Sequence, residues 1–156
     1  MNSNPIALTA PIVPAEFIPV KKARKDGQMS GLAGELFVAA ELLKRDIQAS
    51  VTLGNAKSID LLAHNIATNK QFAVQVKALR KTNWFLISKK SIKPEHIYVF
   101  VLLNAPGVAP EYFIVKGENL VAEECFRKGL ADPSMPGVRP KELEPYRENW
   151  TIFTAP

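Results

Sequence analysis

The stretch Phe72-Ala73-Val74-Gln75-Val76-Lys77-Ala78-Leu79 decides the fold. Its alternation sends Phe72, Val74, Val76 and Ala78 to one face of a strand and places Gln75 and Lys77 together on the other. One face is apolar enough to lie on a core. The opposite face carries an amide and an ammonium two residues apart, close enough to act on the same group.

Upstream, residues 49–53 and 58–64 carry the apolar and β-branched content of two further strands. Gly54-Asn55 and Thr68-Asn69 supply turn residues between the three segments, so they form a meander. In that arrangement Asp60 brings a carboxylate to the strand beside Gln75 and Lys77, and a cleft at the polar face of the sheet gathers all three. Further back, Leu32, Leu36, Ala39, Ala40 and Leu43 recur at helical spacing, which predicts a helix over residues 32–45 with that stripe buried. At about 100° per residue, Glu35 lies on the flank of the stripe and reaches the sheet, whereas Glu41 points into water.

Downstream, residues 96–103 and 111–115 are apolar runs joined by the turn-rich Asn104 to Pro110, a hairpin or sheet-edge connection. A helix is predicted over 118–128, ended by Gly129 in the left-handed conformation. A short helical turn follows at 140–146, and residues 150–153 pack back as a strand with Trp150 as a core anchor. Together these give an α/β domain with a mixed central sheet of about five strands flanked by helices, in the order α-β-β-β-β-β-α.

The 156 residues suit one domain with a single core, and 47% apolar with 22% charged residues is the balance of a folded globular chain. Pro5, Pro11, Pro14 and Pro19 block helix and central strand near the N-terminus, so residues 1–28 read as a Pro-rich basic arm and 29–156 as the domain. No run reaches the roughly 18 to 20 apolar residues of a membrane span, and no signal-peptide pattern is present, so a cytoplasmic protein without membrane contact is expected. Cys125, the single cysteine, is expected as a small buried side chain in a reducing compartment.

A net charge of +5 favours an anionic partner. Lys21, Lys22, Arg24 and Lys25, with Arg80 and Lys81 and with Lys89, Lys90 and Lys93, are either phosphate contacts along a groove or solvated loops. Trp84 and Phe85 either stack on bases or pack in the core. His64 and His96 have no Cys or second His at metal-ligand spacing, and there is no Gly-rich phosphate loop or Ser-His-Asp arrangement, which argues against zinc and nucleotide-hydrolase chemistry.

A helix with Gly34-Glu35, a strand with Ile59-Asp60 and a strand with Gln75-Val76-Lys77 occur here in the order found in nucleases of the PD-(D/E)XK superfamily, and the sequence resembles that superfamily over residues 31–79. The Gln-x-Lys form is similar to that of its intron-homing endonuclease branch and related small bacterial proteins. Gln75 stands where Asp or Glu is commonest, and no Pro precedes Asp60.

The resemblance implies a restriction-endonuclease-like core and a metal-dependent endonuclease that hydrolyses DNA phosphodiester bonds, with Glu35, Asp60, Gln75 and Lys77 as catalytic residues. Mg²⁺, for which Mn²⁺ can substitute, would be held by Asp60, the Gln75 amide oxygen and the Val76 carbonyl, with Glu35 holding a second ion or a water. Hard oxygen ligands are what Mg²⁺ prefers. DNA would be the partner, through Lys22, Arg24, Lys25, Arg80, Lys81, Lys89 and Lys90. A homo-oligomer, most simply a dimer, would let one site per chain cut both strands. The alternative is a weak or inactive nuclease-fold module that binds nucleic acid, or an accessory protein of a mobile-element or defence system.

Overall fold

Helix α1 (Gly27–Leu43) leads into three antiparallel strands, β1 (Ile47–Val51), β2 (Leu61–Asn65) and β3 (Lys70–Leu79), in a computed structural model that describes residues 27–52 and 59–155. The meander is as expected, with Asn69 at φ 55° in the β2–β3 turn. The Gly54-Asn55 turn lies outside the described residues. So does the arm, apart from Gly27 and Gln28, which open the first turn of α1.

After β3 the chain passes through a two-residue strand β4 (Phe85–Leu86) and a 3-10 turn (Lys89–Ser91) before β5 (Ile97–Leu102), which runs parallel to β3. A parallel neighbour needs a crossover of this length. β6 (Glu111–Lys116) then returns antiparallel to β5, so the hairpin is confirmed and the sheet order is β1-β2-β3-β5-β6. Five strands in one mixed sheet match the sequence reading. α2 (Gly117–Ala122), α3 (Glu124–Leu130) and α4 (Pro140–Leu143) follow, with β7 (Gly137–Val138) pairing β4.

Two apolar cores sandwich the sheet. On one face Val38, Ala39 and Leu42 of α1 pack on Val74, Val76, Val99 and Val101, closed by Trp150 and Phe153. On the other, Phe85, Phe126, Leu130 and Leu143 cover Tyr98, Phe100, Phe113 and Val115. Val99 and Val101 thus belong to the first core and Tyr98 and Phe100 to the second, as period-two alternation requires in a strand buried on both sides. No helix among the described residues is long and apolar enough to cross a membrane.

Six expectations are corrected. The buried face of α1 is Ser30, Gly34, Val38, Ala39 and Leu42, which shares Ala39 alone with the predicted stripe; Leu32, Leu36 and Leu43 are 47%, 55% and 55% exposed. The helix is apolar on both sides, and packing chose the side with the smallest residues. A Cβ on Gly34 would lie 2.5 Å from the Ala78 Cβ, so the bare glycine lets α1 sit closer to β3 than any other residue would permit. Glu41, expected in water, is only 19% exposed and is paired with Lys44 and Arg45.

The helix predicted over 118–128 breaks at Glu123, which is extended at ψ 137°, and Gly129 lies inside α3 rather than ending it. A Cβ there would meet the Gly137 carbonyl oxygen at 2.3 Å, so this glycine serves close packing. Restarting the helix turns Phe126 and Leu130 inward and leaves Cys125 exposed, against the expectation of burial. Residues 150–153 form a 3-10 turn instead of a strand, although Trp150 is the expected anchor: it is buried, its Nε1 donates to Glu148 at 2.7 Å, and the Arg45 guanidinium stacks on its ring.

Candidate active site

β2 is shorter than predicted, and its shortness makes the site. Leu61 is the last residue in register with β3, opposite Val74. The Asp60 N–H also donates to the Val74 carbonyl, so two consecutive residues face one, as in a β-bulge. A bulge re-aims the side chain it carries. The Asp60 carboxylate turns into the gap that β2 leaves and accepts the Val76 N–H at 2.7 Å.

Along β3 the backbone groups of Val74, Val76 and Ala78 face the β2 side, and past Val74 no strand among the described residues pairs with them there. The Asp60 carboxylate therefore replaces a missing strand for one donor. The adjoining Val76 carbonyl points into the same gap.

α1 covers the face of β3 that carries Val74, Val76 and Ala78. Gln75 and Lys77 project from the opposite face, at the register of Tyr98 and Phe100. The expected cleft on the polar face thus becomes an opening at the strand gap, entered from one side by α1 and from the other by β3. Glu35 follows Gly34 on α1, and its carboxyl is raised above the ordinary range, first by burial, then by the Asp60 carboxylate, with Lys77 acting in the opposite direction. Glu35, Asp60 and Lys77 therefore share one electrostatic neighbourhood. Gln75 is half-buried beside Lys77, and among the described residues no hydrogen bond joins it to Asp60 or Glu35.

The donor set fits a hard divalent cation. Two carboxylates that repel each other, a neutral amide oxygen and a backbone carbonyl offer oxygen alone, and the repulsion felt by Glu35 is what a cation would relieve. No cluster of three His, Cys, Asp or Glu side chains in metal-holding array occurs among the described residues, so such a site would lean on the Gln75 amide, the Val76 carbonyl and solvent.

The predicted basic residues divide. Lys22, Arg24 and Lys25 lie outside the described residues. Arg80 and Lys81 border a depression with Gly27, Ser30 and Asn83, and the Arg80 Nε donates to the Ser30 Oγ at 2.9 Å. Lys89 and Lys90 are exposed between Ser88 and Ser91, which form a wall with Lys77. Arg80 and Lys81 thus lie just past the end of the strand that carries Lys77, and Lys89 and Lys90 lie next to a depression that Lys77 lines.

Phe85 is core, while Trp84 is half-buried with the Arg139 guanidinium 4.3 Å over its ring. Sequence reasoning missed Ser30, which ties the end of β3 to the start of α1. A small polar residue one turn before Gly34 was the available signal.

Among solved structures, the bacterial homing endonuclease I-Ssp6803I superposes with a TM-score of 0.55, at 16% sequence identity, over 83% of this chain and 92% of that one. The likeness shows the fold. No family model matches the sequence, and no curated protein matches it at a significant level.

Proposed function

We propose that this chain is a metal-dependent endonuclease of the PD-(D/E)XK type that hydrolyses DNA phosphodiester bonds. One observation carries the proposal: the Asp60 carboxylate, bonded to the Val76 N–H, lies in an opening of the sheet from which it and Lys77 both act on the Glu35 carboxyl. The shared fold with a homing endonuclease supports the same reading.

Asp60, the Gln75 amide oxygen and the Val76 carbonyl would hold Mg²⁺, with Mn²⁺ as a substitute, and Glu35 would hold a water beside it. When bound, the ion would neutralise the phosphate and lower the pKa of water. Lys77 places its ammonium where negative charge builds on the phosphorus oxygens as water attacks in line. Glu35, whose raised carboxyl lies nearer neutrality than an ordinary glutamate, is suited to take the proton of that water. The P–O bond opposite the attacking oxygen would then break, and the leaving oxygen would take its proton from solvent. Arg80, Lys81, Lys89 and Lys90 would hold the flanking phosphates.

A homodimer would supply the second site. Its support is the exposed side of α1, where Met29, Leu32, Leu36, Ala40 and Leu43 recur with the 3-4 spacing of a helix-pairing seam. A second copy presents the same seam, so the contact is self-complementary.

The test is nicking of supercoiled plasmid in Mg²⁺ or Mn²⁺, expected for the wild type and lost in Asp60→Ala and Lys77→Ala. Equal nicking by all three would assign the activity to a contaminant. Gln75 favours a second reading, a module that binds DNA without cutting it, because its amide brings no negative charge. That reading predicts metal-independent, salt-sensitive binding unchanged by Asp60→Ala.

A further inference from the structure

The sheet face that carries Gln75 and Lys77 is covered over β5 and β6 by the second core, and among the described residues none covers it over β1, β2 and the first half of β3. Gln48, His64 and Gln71 stand directly opposite one another in a row across the three strands, followed by Ser50, Leu62 and Ala73. These six residues line a shallow cleft of about 410 Å³. The His64 ring is oriented by a contact between Nε2 and the Asn69 Oδ1 at 3.2 Å.

From this row we infer that the bare face of β1–β3 reads base edges in the major groove of duplex DNA, as an extension of the proposed nuclease site. Its chemistry divides as a nucleic acid does. None of the six side chains carries a fixed charge, whereas cations collect toward the far end of β3 at Lys77 and just past it at Arg80 and Lys81. Phosphates call for cations; base edges call for neutral donors and acceptors, with apolar contacts for thymine methyls.

Glutamine pairs in two-point fashion with adenine, and Leu62, exposed beside it, offers the apolar contact. Strands about 4.8 Å apart make the row about 10 Å long, close to three base-pair steps of about 3.4 Å. The major groove is about 12 Å wide, and β1 is a sheet edge, so the β1–β2 ribbon can enter it. A protein partner fits less well, because Leu62 is the single large apolar group in the row.

The inference rests on the nuclease reading for its placement, and the experiment separates the two. Full-length protein is used to select from a randomised duplex library with Ca²⁺ in place of Mg²⁺, so that the DNA stays intact. Wild type should enrich a defined sequence. A Gln48→Ala/Gln71→Ala variant should lose information over about three adjacent base pairs and bind the selected site about 10- to 100-fold more weakly, with affinity for random DNA and the melting temperature unchanged. Arg80→Ala/Lys81→Ala should weaken both affinities alike and reduce their salt dependence. The same enriched sequence from wild type and the glutamine variant, or none from wild type, would overturn the inference. Plasmid nicking in Mg²⁺ is scored in parallel: nicking without enrichment removes base reading and keeps the nuclease, and enrichment without nicking does the reverse.

Discussion

The carboxylate of Asp60 takes the backbone N–H of Val76, 16 residues later, at 2.7 Å, filling the ladder position that β2 vacates. Under the proposed function this side chain has a second duty at the metal, and substitution can part the two. Asp60→Asn keeps an oxygen for the N–H and removes the charge; Asp60→Ala removes both. Nicking should be lost in each, while Asp60→Ala alone should cost about 1 kcal/mol of stability. Plasmid assays and urea titration of the two variants check this.

Glu35 should be a destabilising residue near neutrality. Its carboxyl is raised by burial and by Asp60, so the folded state holds that proton more tightly than the unfolded chain does. Its contribution to stability is then greatest below the unfolded carboxylate pKa and is lost as pH rises through the folded one. Glu35→Gln should thus be more stable than wild type at pH 7, by on the order of 0.5 kcal/mol after allowance for solvent screening, and no more stable at pH 3. Thermal melts at the two pH values read the difference, and the same variant should lose nicking.

Replacing the neutral amide tests its place among the ligands. Gln75→Glu adds a third negative charge to the site and should lower the Mg²⁺ concentration for half-maximal nicking several-fold, since divalent-ion affinity follows ligand charge. An unchanged Mg²⁺ dependence would remove Gln75 from the site.

Helix α1 has one position that admits no methyl group. Gly34→Ala sets a new Cβ 2.5 Å from that of Ala78, which should cost about 1 to 3 kcal/mol. Ala78→Gly in the same chain should recover part of the loss. Chemical denaturation of the single and double variants measures both.

The outer seam of α1 can be charged without touching the core. Leu32→Glu with Leu36→Glu should leave the melting temperature within a few degrees and convert a dimer to a monomer in sedimentation velocity. A wild type that sediments as a monomer would remove the dimer from the proposal.

The legible parts of the fold were those where one period had one interpretation. β3 alternates cleanly, the residues between the strands are turn formers, and the order of the three-strand meander followed, whereas the parallel pairing of β3 with β5 did not. α1 was legible as a helix and misleading as a face, because Gly34 contributes nothing to a hydrophobic count yet decides the approach to β3. Glu35 kept its place near the site even so, since its neighbour is the contact point.

The break at Glu123 was hidden for another reason: residues 118–128 are acceptable helix formers throughout, and only the need to bury Phe126 and Leu130 interrupts them. Asp60 could be named from sequence, but the shortened β2 that turns its carboxylate toward Val76 is a property of pairing, which no single segment contains.

Leu32 and Leu36 belong to the outer side of the same helix that carries Glu35, and α1 is one unbroken rod from Gly27 to Leu43. Whatever grips the rod from outside holds the same element that brings Glu35 to the opening. Catalysis would then respond to how many copies of the protein are present: turnover per molecule should fall on dilution faster than DNA occupancy does, and a cell holding few copies would hold an enzyme that is largely switched off.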